Sequence, residues 1–338
     1  MEKIIVLFSS EHYCNMFLQP EIYQKAEQLG FQLQLQCQDP FPPEAVQPDT
    51  EAVAVITTWG SPKCGRLLRD KMPALKIIGH AAGSVKLVID PDIYQCDVTV
   101  ISANPVMAHA VAEWSLLMTL LRSRNFLETS AYPGKPCMDW KNSFCMSDIK
   151  TMTIGLWGFG DSSKHLLTML APLKPKRLLV ASKHAPETEI MAFGAQKVSF
   201  ETLLSESQQV HCLVGVNKEN HHKIGSRELA LLQNGATIIN CGRAGLIQEQ
   251  PLIQELNSGR IHAVLDVFYT EPLPENSQLY KLKNLIMTPH NAGFPGRELF
   301  VPFLLEQFQK FFQGDPFLGE VSQERFASMT DETLAKQK

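Results

Sequence analysis

The chain has 338 residues, of which 44% are hydrophobic and 20% are charged, and its formal net charge is −4 at pH 7. This length fits about two domains, and an acidic balance without a Lys/Arg-rich block does not favour nucleic acid as a partner. Eight cysteines occur without a CxxC pair, so we expect reduced thiols, no metal site and a cytoplasmic protein.

The first third of the chain alternates short apolar runs with helical patterns, as is typical of a parallel sheet with crossover helices. Its strand candidates are residues 3–8, 52–57, 75–80 and 97–102. A long amphipathic helix is predicted over 106–123, where it would bridge two domains. Its most apolar part, 110–121, carries Glu113 and is too short to span a bilayer, so we expect no membrane contact. The stretch 131–148 that follows has no regular pattern.

A second series of apolar runs begins near residue 151, and a final helix near 297–312 is expected to return to the first domain. The strand candidates of this series are 151–157, 177–181, 210–216, 236–241, 263–268 and 284–288. We therefore predict an α/β fold of two doubly wound parallel-sheet domains, Rossmann-like or flavodoxin-like, with a cleft between them. The predicted domains are 1–103 with 295–338, which binds substrate, and 104–294, which binds a dinucleotide.

The segment TIGLWGFGDSSKHLLTML (153–170) predicts a strand, a glycine turn and an amphipathic helix. In such a unit the first glycine makes the turn and the second lets the backbone approach a pyrophosphate at the helix N-terminus. The predicted cofactor contacts of this turn are Gly158, Phe159, Gly160, Asp161 and Ser162. Ser163 replaces a third glycine, which would loosen helix packing, and Asp161 suits the helix start but would repel a pyrophosphate unless it turns away.

The next strand ends in LLVASKHAP (178–186), which contains no acid to bind the ribose hydroxyls of NAD. Ser182, Lys183 and His184 suit a 2′-phosphate better, although the two basic residues could also be solvated loop residues. We therefore predict an NAD(P) cofactor with a slight preference for NADP, contacted by Ser182 and Lys183.

Three polar residues, Arg243, Glu271 and His290, each follow a short apolar run. Their contexts are IINCGRAGL (238–246), LDVFYTEPL (265–273) and IMTPHNAG (286–293). Each residue alone could be an ordinary loop residue. Delivered together to the carboxyl edge of one sheet, where ligands collect, they could bind a carboxylate-bearing carbonyl compound and move a proton on it.

With these pieces placed, the chain resembles the D-isomer-specific 2-hydroxyacid dehydrogenases over about residues 52–297, most strongly over 236–293. There INCGRAGLIQEQPLIQELNSGRIHAVLDVFYTEPLP, followed by TPHNAG, matches the family pattern NxxRGGLVxExxLIxxLxSGxIxGAxLDVFxxEPLP and TPHxAG. The resemblance implies that Arg243 anchors the substrate, that His290 is the acid/base and that Glu271 pairs with His290.

The resemblance also implies roles for residues around this trio. Asp266 matches the family Asp beside the nicotinamide, and Cys241, two residues before Arg243, is expected to pack near the cofactor rather than act as a nucleophile. The segment HAAGSVKLV (80–88) loosely matches the family's substrate loop, whose backbone N–H groups would hold the substrate carboxylate. The predicted donors are Ala82, Gly83 and Ser84.

The sequence thus predicts an oxidoreductase, implied to be a homodimer, that transfers hydride between a nicotinamide cofactor and a small 2-keto or 2-hydroxy acid such as glyoxylate or hydroxypyruvate. The alternative is a nucleotide-sensing binding protein or corepressor-like relative, since Asp161 and Ser163 depart from the family pattern. His109 on the long helix is open to two interpretations, a solvated residue or a cofactor or substrate contact.

Overall fold

The computed structural model describes residues 3–130, 146–330 and 334, so most of the irregular stretch predicted over 131–148 lies outside the described residues. By its contacts the chain forms two compact units, Met1–Ala108 with Phe294–Glu332 (unit 1) and His109–Gly293 with Thr333–Lys338 (unit 2).

The two units are built from parallel strands with helices between them. The described strands are β1 (Lys3–Ser9), β2 (Phe31–Cys37), β3 (Ala52–Thr57), β4 (Ile77–His80), β5 (Thr99–Ser102), β6 (Thr153–Trp157), β7 (Arg177–Ala181), β8 (Gln196–Lys197), β9 (Gln209–Cys212), β10 (Thr237–Asn240), β11 (His262–Leu265) and β12 (Leu285–Met287). The described helices are α1 (Glu11–Phe17), α2 (Pro20–Gln28), α3 (Arg66–Lys71), α4 (Asn104–Ser123), α5 (Phe126–Thr129), α6 (Asp161–Leu170), α7 (Glu187–Ala192), α8 (Phe200–Glu206), α9 (Ser226–Leu231), α10 (Glu249–Asn257), α11 (Phe300–Gln313) and α12 (Gln323–Ser328).

Unit 1 contains a five-stranded parallel sheet in the order β2-β1-β3-β4-β5. This is the flavodoxin-like strand order. Successive side chains of β1 point to opposite faces of the sheet, so Val6 joins one apolar cluster and Leu7 the other. Helix α11 covers the second face, where Leu304 and Phe308 are fully buried against β3 and β4. The sheet is therefore buried on both faces, as its apolar runs predict.

Unit 2 contains a seven-stranded parallel sheet in the order β12-β11-β10-β9-β6-β7-β8. Its first six strands in space, read from β8, follow the Rossmann order, and the direction of winding reverses between β6 and β9. Such a reversal opens a crevice at the carboxyl edge, where doubly wound folds bind their ligands. The prediction of an α/β fold with two parallel sheets is confirmed.

The strand predictions differ from the structure in two ways. Strands β2 and β8 have no counterpart among the predicted strands, because neither FQLQLQC nor the two-residue β8 contains a continuous apolar run. Two predicted runs are also too long at their ends. Strand β9 stops at Cys212 and β11 at Leu265, because the residues that follow already form the loops of the carboxyl edge.

The prediction of reduced cysteines is wrong for one pair. Cys14 on α1 and Cys37 at the end of β2 form a disulfide, with their Cα atoms 7.2 Å apart. Twenty-three positions separate the two residues, and the parallel pairing of β1 with β2 brings them together at one edge of the sheet. The free cysteines of the described chain are Cys64, Cys96, Cys212 and Cys241.

Within residues 3–130, 146–330 and 334, no helix combines the length and the apolar character needed to cross a membrane. In the same part of the chain, no group of three or more His, Cys, Asp or Glu residues is arranged to hold a metal ion.

Candidate active site

Strands β10, β11 and β12 of unit 2 end side by side at the carboxyl edge of the sheet. Asn240 at the end of β10 pairs with Leu265, and Leu265 pairs with Met287 at the end of β12. Because adjacent strands lie about 4.8 Å apart, the loops that leave these strands are neighbours. Arg243, Asp266 and His290 lie in these three loops, so the sheet brings the predicted strand-end residues to one edge.

Asp266 directly follows β11 and is 1% exposed. Its Oδ1 accepts hydrogen bonds from the Thr288 hydroxyl at 2.6 Å and from the Asn291 N–H at 2.9 Å. Its Oδ2 accepts from the Ala292 N–H at 3.0 Å. These bonds fasten the loop after β12 on both sides of His290, so Asp266 holds the imidazole in place through the backbone. Thr288 and Asn291 were not singled out from the sequence, although both belong to the TPHNAG motif.

Glu271 and His290 form a close pair. The imidazole Nδ1 lies 3.1 Å from Oε1 and 3.0 Å from Oε2 of the carboxylate, and Oε1 also accepts from the Phe268 N–H at 3.0 Å. An ionised carboxylate can only accept, so Nδ1 carries a proton and Nε2 is the atom left for proton exchange. The Glu271 side chain is 16% exposed and that of His290 42%, which places the carboxylate behind the ring and leaves the ring accessible.

Gly242 determines where the chain goes after β10. A Cβ at this position would lie 2.7 Å from the carbonyl oxygen of Val214 and 3.0 Å from that of Cys212, so the loop can pass this closely only without a side chain. The Asn240 side chain closes the turn: its Oδ1 accepts from the Gly242 N–H at 3.1 Å and its Nδ2 donates to the Arg243 carbonyl at 3.0 Å. The half-buried Arg243 is therefore presented by a fixed turn.

Cys241 lies between these residues and packs on α4. Its Sγ is 3.5 Å from the Ser115 hydroxyl. Burial raises the pKa of the Cys241 thiol to about 12, and the nearby Asp266 carboxylate also raises it. A thiol that stays protonated at neutral pH is a poor nucleophile, which supports a packing role for this residue.

The glycine turn lies at the point where the sheet reverses its winding. Gly158 has φ of +111°, and a Cβ there would meet the Val214 side chain at 2.7 Å and the Leu213 carbonyl at 2.8 Å. Gly160 is different, because a Cβ at this position would meet nothing within 4 Å. The backbone of Gly160 therefore borders open space at the start of α6, where N–H groups and the helix dipole favour an anion. This geometry fits a pyrophosphate.

The other residues of the turn lie at the start of α6. Phe159, Asp161 and Ser162 are half-buried, and Asp161 is the first residue of the helix. Ser163 is fully buried, and among the described residues its hydroxyl has no hydrogen-bond partner. Leu166 and Leu167 on the same helix are also fully buried, so Ser163 lies on the face of α6 that packs in the core.

The end of β7 carries a contact that the sequence did not predict. The Ser182 hydroxyl accepts from the Ala185 N–H at 3.3 Å, and the Lys183 ammonium donates to Glu219 at 2.7 Å. Glu219 lies in the loop after β9, 36 positions further along the chain. No local pattern links the two residues, because the fold of the sheet alone brings their loops together.

The predicted substrate loop follows β4 in unit 1. Ala82 and Gly83 are buried and Ser84 is half-buried. Among the described residues no hydrogen-bond acceptor is found for the three backbone N–H groups. A Cβ on Gly83 would lie 3.0 Å from the Met107 sulfur, so the loop is closely packed on one side. Unpaired N–H groups at the carboxyl end of a strand are suited to a carboxylate.

His109 lies on α4 in unit 2, with half of its side chain exposed. Its Nδ1 is 3.8 Å from the Glu113 carboxylate, and its ring meets that of His165 edge-on with centroids 5.3 Å apart. Contact with a cofactor or substrate stays a prediction for this residue.

Comparison with known proteins identifies a family of dehydrogenases, in agreement with the geometry of the strand ends and the glycine turn. Residues 114–292 match the family model described as D-isomer specific 2-hydroxyacid dehydrogenase, NAD binding domain. A glyoxylate reductase of Thermococcus litoralis is 30% identical over 274 residues, which covers 78% of this chain and 82% of the relative. A glyoxylate/hydroxypyruvate reductase B of Yersinia enterocolitica is 28% identical over 257 residues, covering 73% and 76%.

Solved structures support the fold. A phosphoglycerate oxidoreductase from Rhizobium etli superposes with a TM-score of 0.78 at 21% identity, covering 96% of this chain and 99% of that one. A D-isomer specific 2-hydroxyacid dehydrogenase from Xanthobacter autotrophicus, solved with NADPH and MES, gives 0.75 at 23% identity, covering 96% and 100%. The family match spans the glycine turn and all three strand ends described above, and the chain therefore belongs to the D-isomer specific 2-hydroxyacid dehydrogenases, oxidoreductases that act on 2-keto and 2-hydroxy acids with a nicotinamide cofactor.

Proposed function

We propose that this chain reduces small 2-keto acids, such as glyoxylate or hydroxypyruvate, with Arg243, Glu271 and His290 as its catalytic residues. The observation that carries the proposal is the Glu271–His290 pair, whose two Nδ1 to carboxylate distances are 3.0 and 3.1 Å. Reductases of these two keto acids are the relatives named above. A pure binding protein would have no use for an oriented proton donor, so the pair favours turnover over nucleotide sensing.

Arg243 anchors the substrate in this proposal. A guanidinium makes paired, charge-assisted hydrogen bonds to the carboxylate and carbonyl oxygens of a keto acid, which orients the acid and polarises the carbonyl. The bonds of the Asn240 side chain fix the backbone of the turn, and the Arg243 guanidinium donates to the Gly242 carbonyl at 2.8 Å. The N–H groups of Ala82, Gly83 and Ser84 are proposed to bind the carboxylate as well.

His290 moves the proton. The Glu271 carboxylate accepts the Nδ1 proton and so directs Nε2 to the substrate, where Nε2 donates its proton to the keto oxygen as the carbonyl carbon is reduced. In the reverse direction the neutral Nε2 accepts the proton of the hydroxyl group. Asp266 contributes by fastening the backbone on both sides of His290.

The residues around the glycine turn fit a nicotinamide cofactor, which when bound supplies or accepts the hydride. Gly158 to Ser162 at the start of α6 would hold its pyrophosphate, and Asp266 and Cys241 would lie near its nicotinamide end. Ser182 and Lys183 would hold the adenosine end. Because a serine hydroxyl and a lysine ammonium suit a 2′-phosphate, we propose a slight preference for NADP(H) over NAD(H).

The test is the oxidation of NADH and of NADPH, measured separately with glyoxylate, hydroxypyruvate, pyruvate and bulkier 2-keto acids. We expect turnover with small keto acids, and we expect His290→Gln to lower kcat at least about 100-fold while cofactor affinity changes little. Cofactor binding without turnover on any acid of the panel would favour the sensing protein instead. Wild-type-like rates in the variant would remove the acid/base role.

A homodimer also stays part of the proposal, because the family resemblance implies it. Sedimentation equilibrium of the full chain tests this point independently of activity, and a monomer at micromolar concentration would contradict it.

A further inference from the structure

The end of β7 is occupied by an ion pair between two loops of unit 2. The Lys183 ammonium, which follows β7, lies 2.7 Å from Oε2 of Glu219, which follows β9. Both side chains are largely exposed, 66% for Lys183 and 70% for Glu219. The pair is therefore open to solvent and to a ligand. Its cation, Lys183, is the residue that the proposed function assigns to the 2′-phosphate.

The loop after β9 holds the backbone of Glu219 in one position. The Asn217 Oδ1 accepts from the N–H groups of Glu219 at 2.9 Å and of Asn220 at 3.2 Å. The Asn220 side chain accepts from the Asn217 N–H at 2.7 Å and donates to the Gly215 carbonyl at 2.8 Å. These bonds involve only the backbone N–H of Glu219, so the carboxylate is available to accept from Lys183. The carboxylate is thus presented to Lys183 by a closed turn.

The negative charge of Glu219 affects the binding of NADP and the binding of NAD differently. The Lys183 ammonium, through its hydrogen bond, lowers the pKa of the Glu219 carboxyl below its ordinary value, so Glu219 is ionised at neutral pH. A 2′-phosphate carries more than one negative charge and would have to share Lys183 with this carboxylate. The uncharged 2′-hydroxyl of NAD does not compete with Glu219 for the ammonium.

We propose that Glu219 is a specificity-determining residue that limits the preference for NADP(H) by competing with the 2′-phosphate for Lys183. The inference rests on the proposed function only in placing the adenosine end of the cofactor at β7. Replacing Glu219 by Gln removes the competing charge, keeps the side-chain volume and leaves the Asn217 turn intact, since that turn uses only the backbone of residue 219.

The experiment measures binding of cofactor fragments by isothermal titration calorimetry at low ionic strength, so that no keto acid is involved. Adenosine 2′,5′-bisphosphate represents the NADP end and 5′-AMP the NAD end. We expect Glu219→Gln to tighten binding of the bisphosphate about twofold to fivefold, the range for an exposed charge pair, and to leave 5′-AMP within about twofold. The gain should shrink as salt is added, because exposed charges are screened.

Two further variants make the result specific. Glu206→Gln removes another exposed acid, one that pairs with Arg177 at the opposite end of β7, and it should change neither affinity. In Lys183→Gln the additional change Glu219→Gln should bring no gain, because the cation under competition is gone. NADPH and NADH should follow the same order as the fragments.

Three results would overturn the proposal. An unchanged ratio of the two affinities in Glu219→Gln would show that the carboxylate does not compete. Weaker binding of 5′-AMP in that variant would show instead that Glu219 recognises the ribose hydroxyls. Failure of the wild-type chain to bind either fragment would also contradict it, whereas fragment binding without keto-acid turnover would contradict only the proposed reaction.

Discussion

At the scale of single residues, the candidate site depends on the carboxylates of Asp266, which is buried, and Glu271, which is half-buried, and the two have different roles. Asp266 accepts three hydrogen bonds from the loop that carries His290, so it fixes where the imidazole is. Glu271 contacts the ring itself through Nδ1, so it fixes how the imidazole is turned and which nitrogen carries the proton. The family resemblance implies the pairing of Glu271 with His290, but nothing in the sequence indicates that Asp266 holds the backbone on both sides of the imidazole.

Replacing Glu271 by Gln tests the second role. The amide keeps the shape and can still accept from the Phe268 N–H, but it carries no charge and can offer Nδ1 an N–H in place of an acceptor, so the ring loses its fixed orientation. We expect kcat for the hydroxy acid to fall at least about tenfold, with a modest change in KM. A kcat equal to that of the wild type in this variant would argue against the pairing.

At the scale of elements, the sequence predicts the central strands and the long helix α4 well, because burial on both faces leaves continuous apolar runs. It predicts the edge strand β2 poorly. The segment FQLQLQC alternates apolar and polar residues, and from Phe31 to Cys37 only Phe31 is fully buried, so its signal is a period of two rather than a run. Contacts such as that of Lys183 with Glu219 leave no local signal, because they depend on the order of the strands in the sheet.

Helix α4 packs on β9 through a buried polar contact. The Thr119 hydroxyl donates to the Ser115 carbonyl at 2.9 Å and lies 3.0 Å from His211 Nε2, so Nε2 must carry the proton of that hydrogen bond. Among the described residues, Nδ1 of His211 has no partner. Burial lowers the pKa of His211 to about 3, because a second proton would be enclosed without an acceptor.

This contact makes folding sensitive to acid. An unfolded histidine titrates near pH 6.5, so below that pH the unfolded chain binds a proton that the folded chain does not, and stability falls from about pH 6.5 down to about pH 3. For His211 alone the loss between pH 7.5 and pH 5 is about 2 kcal/mol. We expect His211→Gln to remove that share of the pH dependence in urea unfolding. A variant with the same pH dependence as the wild type would contradict the assignment.

At the scale of the whole molecule, the two units have separate cores, and the cofactor-binding features belong to one of them. The glycine turn, the end of β7 and the loops that carry Arg243 and His290 all leave the carboxyl edge of the sheet in unit 2. Cofactor binding is therefore expected to be a property of unit 2. Catalysis requires in addition the proton donor His290, which cofactor binding does not need. The two can be separated by variants that affect only one of them.

The separation can be measured as a change in stability. At a cofactor concentration of about 100 times Kd, binding to the folded chain alone adds about 2.7 kcal/mol to the free energy of unfolding. We expect NADPH to raise the unfolding temperature of the wild type and of His290→Gln equally, because the imidazole is not needed to hold the cofactor. Differential scanning calorimetry with and without NADPH measures both.

Gly160→Val supplies the matched control. Gly160 has an ordinary extended backbone, with φ of −85°, and a Cβ at this position meets nothing within 4 Å, so the variant should fold with nearly unchanged stability. The added side chain would fill the open space at the start of α6, where the pyrophosphate is expected. The stabilisation by NADPH should therefore be lost in this variant alone. If Gly160→Val were stabilised as much as the wild type, the pyrophosphate would have to bind elsewhere, and the cofactor assignment of the whole carboxyl edge would fail with it.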